Sequence, residues 1–293
     1  MIKISRGLDL PISGAPEQVI HDGPKISQVA LVGTDYPGMK PTMAVREGDR
    51  IALGQLLFTD KKNEGVRYTA PAAGTVLAIN RGERRVFQSL VIDVDGDKSE
   101  KFASYTDDQL AGLDRAAAVD NLVSSGQWVA LRTRPYSKVP AVGSVPSSIF
   151  VTAMDTNPLS ADPAVIIARR SADFINGLKV LTRLTDGPVN LCIAPESGVV
   201  GDEVDGVRVV AFSGPHPAGL PGTHIHFLDP VSANKTVWTI GYQEVIAYGA
   251  LFTTGQIDTQ RVIALAGPQV LEPRLLATQL GANLNQFVIG ELA

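Results

Sequence analysis

Near residue 103 the chain changes its rhythm, and that change narrows the available folds more than any single motif. Before it, runs such as QVALVG, RIALGQLLF, GTVLAI and RVFQSLVIDVDGD are short, rich in Val, Ile, Leu and Phe, and bounded by glycine or proline. Such runs predict an antiparallel β unit. After it, TDDQLAGLDRAAAVDNLVSSG opens on Thr106 with two acidic residues behind it, carries Leu110, Leu113, Ala117 and Val119, and meets Gly126. These start and stop signals predict one helix. Strand and helix then alternate: SIFVTAM as a strand, DPAVIIARRSADFINGLKVLTRLT as one long helix opened by Pro163, PVNLCIA and VRVVAFS as strands, IGYQEVIAYGALFTTG as a helix, RVIALAG as a strand. That order predicts an open α/β sheet. The 293 residues therefore divide into a β domain over 1–103, an α/β domain over 104–256 and a third unit over 257–293. The last, a strand and one short helix, is too little to bury a core and is expected to be a truncated domain.

Composition excludes several classes. Hydrophobic residues at 44% and charged residues at 19% give the balance of a soluble globular protein. A net charge of -4 argues against nucleic acid as a partner. Cys192 is the single cysteine, so a disulfide framework, a zinc ribbon or a four-cysteine iron–sulfur site within this chain is excluded. No run reaches the ~18 apolar residues of a membrane span, and MIKISRGLDLPISGAPEQ has no apolar core of a secretory signal. A cytoplasmic protein is expected.

Residues 45 to 76, VREGDRIALGQLLFTDKKNEGVRYTAPAAGTV, have the rhythm of the half-barrel that elsewhere carries biotin or lipoate on a lysine. The tip is wrong for that chemistry, because Lys61 and Lys62 are followed by Asn-Glu-Gly without a Met-Lys-Met or Asp-Lys-Ala triplet. They read as a solvated basic turn. The glycine-rich SGVVGDEVDG leads into another strand, so it lacks the helix N-terminus that phosphate binding needs. DVDGDKSE misplaces the glycine and glutamate of a calcium loop. His216, His224 and His226 fall in SGPHPAGLPGTHIHFL. On a strand, His224 and His226 would share a face. With no carboxylate or cysteine in the motif, a loop that recognises a ring or a partner is the better reading than a metal site.

The segments RGLDLPISG, DYPGMKPTMAVREGD, GQLLFTDKKNEGV, TAPAAGTVLAINRGERRVFQS, HPAGLPGTHIHFLDPV and ALAGPQVLEPRLLAT, six in order from end to end, resemble the A subunits of bacterial sodium-translocating NADH:quinone oxidoreductases. The resemblance implies a barrel-sandwich hybrid domain, biotinyl- or lipoyl-like but unmodified, a Rossmann-like α/β domain, and the start of a β-grasp domain. It also extends to the Rnf complex C subunit and the flavoprotein subunit of complex I. In those relatives a loop of the type G-x-G-G-A-G-F-P-T and a Glu-Cys-Glu-Pro stretch help to hold FMN. The matching places here read ALRTRPYSKVP and AMDTNPLSADP. Arg132, Thr133, Arg134, Pro135 and Tyr136 replace the glycines, and Asp155 and Asn157 flank Thr156 in place of the acidic pair. Side chains of that size would fill the flavin's space, leaving a degenerate FMN site. Arg132 and Arg134 are expected to be solvated or paired with acidic neighbours.

The resemblance further implies a non-redox peripheral subunit on the cytoplasmic side of the bacterial inner membrane, inactive alone. It would dock to other members of the complex, especially the membrane-embedded B subunit and the flavin-bearing C subunit. FMN, FAD, riboflavin and the iron–sulfur centre would reside on such partners. No catalytic, cofactor-binding or metal-binding residue is assigned to this chain. Ubiquinone is the one ligand expected, with His216, Gly219, Gly222, His224 and His226 as the candidate loop. The alternatives are a purely architectural subunit, or an FMN-binding NADH dehydrogenase subunit.

Overall fold

The computed structural model describes residues 1–293. Two early strands, β1 (Ile2–Lys3) and β2 (Glu17–Asp22), join sheets formed much later in the chain. The next seven build a sandwich: β3 (Gln28–Val32), β4 (Pro41–Met43), β5 (Arg50–Ile51), β6 (Leu56–Asp60), β7 (Arg67–Thr69), β8 (Gly74–Arg81) and β9 (Phe87–Val94). They form one sheet in the order β3-β9-β8-β5 and a second in the order β4-β6-β7. Alternation along the strands supplies the core: Val29 and Leu31 from β3 and Leu90 and Ile92 from β9 are buried. Phe58 stacks on Tyr68 at 4.6 Å.

In a swinging-arm carrier the β6–β7 tip would stand free. Here Lys61 and Lys62 are exposed, but the next residue anchors the tip. Asn63 Nδ2 donates to the carbonyls of Val139 and Pro140 at 3.0 and 3.1 Å. Trp128 Nε1 donates to the Pro140 carbonyl at 2.9 Å. The hairpin is a strut against the α/β domain.

The remaining elements are α1 (Asp107–Ala111), α2 (Arg115–Ser124), β10 (Arg132–Arg134), β11 (Ile149–Ala153), α3 (Pro163–Arg169), α4 (Ser171–Arg183), β12 (Val189–Ile193), β13 (Val207–Ser213), α5 (Pro221–Leu228), β14 (Val237–Gly241), α6 (Tyr242–Thr254), β15 (Gln260–Leu265), β16 (Arg274–Gln279) and α7 (Asn285–Val288). Two expected single helices are pairs. Thr106 forms a full capping box with Gln109, yet the chain breaks at Gly112 and Asp114 caps a second helix at Ala116 N. The long helix after Pro163 breaks at Arg170, whose backbone leaves the helical region.

The central sheet runs β1-β13-β12-β11-β14-β10, parallel except for β10 at its edge. Helices α3, α4 and α6 cover one face. On α4, Phe174, Leu178 and Leu181 are fully buried at helical spacing, each stabilising the fold by about 1.5–3 kcal/mol. Gly177 and Gly249 let α4 and α6 touch backbone to backbone; a Cβ on Gly177 would meet the Val245 carbonyl oxygen at 1.9 Å. The other face carries a smaller cluster of Ile4, Phe150, Cys192, Phe212 and Ile225, where burial pushes the Cys192 thiol pKa up.

Residues 257–293 escape the difficulty of their size by borrowing a strand. Their hairpin β15–β16 pairs with β2 to make a third sheet, β15-β16-β2. Leu265, Leu275, Leu276 and Phe287 are buried, and Leu265, Leu276 and Phe287 join the apolar cluster that runs through the sandwich and the α/β domain. No helix is long and apolar enough to cross a membrane.

Candidate functional site

In an open α/β sheet the binding crevice forms where strand order reverses, outside the carboxyl ends of the strands. Here β11 has β12 on one side and β14 on the other, so the reversal lies between β11 and β14. The loop after β11 carries Asp155, Thr156 and Asn157, and the loop after β13 carries His216 to Leu220. These two loops are clasped together. Gly219 N donates to Thr156 Oγ1 at 2.9 Å. His216 Nδ1 lies 3.1 Å from the Thr156 carbonyl, which only accepts, so Nδ1 carries the proton. It also lies 3.2 Å from Thr156 Oγ1. Gly219 is required because a Cβ there would meet Thr156 N at 2.6 Å. Asp155 is exposed and turns on its own loop, its Oδ1 accepting from Asn157 N at 2.7 Å and from Asn157 Nδ2 at 2.8 Å.

The other half of the expected flavin site lies elsewhere. Arg132 to Arg134 form strand β10, with Arg134 opposite Val237 at the start of β14, whereas Thr152 is opposite Gly241 at its end. Arg134 is therefore roughly 13 Å along the strand axis from the end that carries Asp155. The Arg132 guanidinium is half-buried and pairs with no carboxylate. It donates to the carbonyls of Val129, Leu131 and Asp35 and lies over the Tyr36 ring at 5.3 Å. Arg134 Nε is buried without a partner. Tyr136 points to solvent, 80% exposed.

The histidine loop also departs from expectation. Residues 221–228 are helix α5, opened by Pro221, so His224 and His226 stand about 200° apart around the helix and share no face. His224 is fully buried, its ring 4.4 Å from that of Phe212, with Nε2 donating to the Ala218 carbonyl at 2.9 Å. Burial pulls its pKa down to about 4, which keeps the ring neutral. Of the five candidate residues, Gly222 and His226 face an open cleft; His216, Gly219 and His224 serve the loop itself. That cleft has a second wall that sequence reading missed, the N-terminal segment. Leu8 N donates to the His216 carbonyl at 2.9 Å and His216 N donates to Asp9 Oδ1 at 2.9 Å. This brings Lys3 and Arg6 opposite Thr223, His226 and Phe227. No three His, Cys, Asp or Glu side chains gather to hold a metal ion.

Family models match nearly the whole chain: the NqrA N-terminal barrel-sandwich hybrid domain over residues 2–95, the NqrA second alpha/beta domain over 113–257, and the NQRA C-terminal domain over 262–293. This chain belongs to the NqrA family. Similar curated proteins include the A subunits of the Na(+)-translocating NADH-quinone reductases of Saccharophagus degradans and Hahella chejuensis, each 63% identical, and of Pseudomonas aeruginosa, 62% identical. Each match covers 100% of this chain and 65% of the relative, so the chain spans about two thirds of the length of these NqrA proteins.

Proposed function

We propose that this chain serves as a peripheral, cofactor-free subunit of a sodium-translocating NADH:quinone oxidoreductase. In this reading its central domain is Rossmann-like, with the flavin crevice closed by the protein's own loops. The carrying observation is the clasp of Thr156, His216 and Gly219, which ties the loop after β11, one wall of the strand-order reversal, back to the loop after β13. A bound flavin phosphate needs free backbone N–H groups and glycine-lined space. Here the Gly219 N–H is committed to Thr156, and the Asp155 carboxylate holds Asn157. FMN, FAD, riboflavin and the iron–sulfur centre belong to partners in the complex, among them the B and C subunits, on the cytoplasmic side of the inner membrane. The third sheet is read as the start of a β-grasp domain.

Quinone recognition is assigned to the cleft between residues 3–6 and α5. A quinone head group needs a flat apolar contact and hydrogen-bond donors at its carbonyls. Phe227, 52% exposed, supplies the first, and Lys3, Arg6 and His226 supply the second.

Equilibrium dialysis against FMN tests the closed crevice. The expected result is no retention of flavin at micromolar FMN, and Gly219→Ala, which pushes the clasp apart, would not create binding. Stoichiometric FMN bound to the unaltered chain would refute the reading.

A further inference from the structure

A second concave region, unconnected to that cleft, lies where α3 and α6 face the third sheet. Along it Arg261 Nε, Thr278 Oγ1 and Gln279 Nε2 are each cut off from solvent without a hydrogen-bond partner. Native proteins satisfy the great majority of their buried polar groups, so three orphans beside one groove need an explanation. Register gathers them: Arg261 lies directly opposite Thr278 on the β15–β16 pair, and Gln279 follows. The groove consists of two adjoining clefts that share Arg169, Gln260, Ala277 and Thr278. The inner one has a volume of only about 70 Å³, and the adjoining outer one about 450 Å³, so a small ligand would have to span both. The floor of the inner cleft is apolar, made by Ile166, Ile246, Val262 and Ala277.

Several of the groove's other polar groups are already engaged, while the Asp22 carboxylate stands exposed at the far side of the outer cleft and confines an anion to the Arg169 side. Arg170 donates to Asp173 at 2.6 Å, to Asp258 at 2.9 Å and to Gln260 at 3.2 Å. Gln243 is locked to the Val262 backbone at 2.8 and 3.0 Å. Arg261 Nη1 donates to the Gln260 carbonyl at 2.7 Å, while its Nε remains 3.6 Å from Glu244, too long for a hydrogen bond. Arg169 is exposed at the end of α3, outside the ion pairs that Arg170 and Arg261 make with Asp173, Asp258 and Glu244. What remains is the Arg169 guanidinium at the rim, with Arg261 Nε–H and the Thr278 hydroxyl just beneath the surface of the apolar inner cleft; Gln279 lines only the outer cleft. A molecule that satisfies them offers several acceptor oxygens and a negative charge at one end and hydrocarbon at the other.

We infer that this groove binds a small organic anion, a carboxylate or a phosphate ester on an apolar body, held between the α/β domain and the third sheet. The inference is independent of the quinone cleft and of the flavin crevice. Calorimetric titration of the chain with hexanoate, hexyl phosphate and hexanol tests it, with Arg169→Ala and Thr278→Val beside the unaltered protein. One or both anions bind saturably at a single site, and the one that binds tighter identifies the head group. Hexanol, with the same hydrocarbon and no charge, binds about tenfold more weakly or not at all, and each variant weakens the anion about tenfold. Arg169 is on the surface and valine preserves the shape of threonine, so both variants keep the melting profile of the unaltered chain. Absence of saturable anion binding at millimolar concentration overturns the inference. So does hexanol binding as tightly as the anions, or anion binding that neither variant alters.

Discussion

Replacing Thr156 by valine keeps the shape of the side chain and removes one oxygen, which isolates the clasp between the loops after β11 and β13. The lost hydroxyl accepts from Gly219 N at 2.9 Å, and Gly219 is buried. No other acceptor replaces it, so the variant leaves a buried amide unpaired at a cost of about 1–3 kcal/mol. His216 Nδ1 keeps its 3.1 Å contact with the Thr156 carbonyl, so the second contact adds little. The penalty falls on a loop-to-loop contact, and local opening reports it better than global unfolding. Native-state hydrogen exchange of the Gly219 amide should accelerate between about 5- and 150-fold, at tenfold per 1.4 kcal/mol. Thr156→Ser, which restores the oxygen, should exchange within about threefold of the unaltered chain. If valine and serine variants exchange alike, the hydroxyl does not hold the two loops together.

Three other perturbations follow from the same geometry. His224 is held neutral by burial, with a folded pKa of about 4 against an ordinary value near 6.5, so the unfolded chain binds the extra proton first. Its contribution is complete above about pH 6.5 and is lost as pH falls towards 4, about 2 kcal/mol of it between pH 7 and 5; urea midpoints at the two pH values should diverge for the unaltered chain by that much more than for His224→Phe. Gly177→Ala drives a Cβ to within 1.9 Å of the Val245 carbonyl oxygen, and overpacking against a backbone should cost ~3 kcal/mol; a melting temperature within a degree of the unaltered chain would show that α4 and α6 can separate freely. Asn63→Ala removes both hydrogen bonds from the hairpin tip to residues 139 and 140, so proteolysis at Lys61 or Lys62 should speed up several-fold while circular dichroism of the helices stays unchanged.

Much of the architecture could be read from residue pattern because local signals agreed with tertiary need. The Thr106 cap, Pro163 at a helix start and the apolar runs of β11, β12 and β13 all form as expected. The break at Arg170 carried no such signal. Its guanidinium is drawn to Asp258, 88 residues away, and no glycine or proline marks the place. Strand β10 is equally silent, since Arg-Thr-Arg has no apolar alternation and forms by pairing along the edge of β14. Helix α5, by contrast, was legible. Pro221 sits at a first-turn position and His224, Ile225 and Leu228 follow at helical spacing. Reading it would have separated His224 from His226 and placed one in the core. Lys3 and Arg6 were out of reach, because nothing in a two-residue strand announces that it will pair with β13 more than two hundred residues later.

In the proposed reading this chain recognises quinone, and not flavin, at the cleft between its first residues and α5. Ligand-observed NMR with a water-soluble ubiquinone analogue tests it most directly, with FMN and NADH as controls and His226→Ala and Arg6→Ala as variants. Both positions are on the surface, so folding is not at stake. Saturable quinone binding is expected, weakened about three- to tenfold by each variant, with no response from FMN or NADH. Binding of FMN, or quinone binding that neither variant changes, would contradict it.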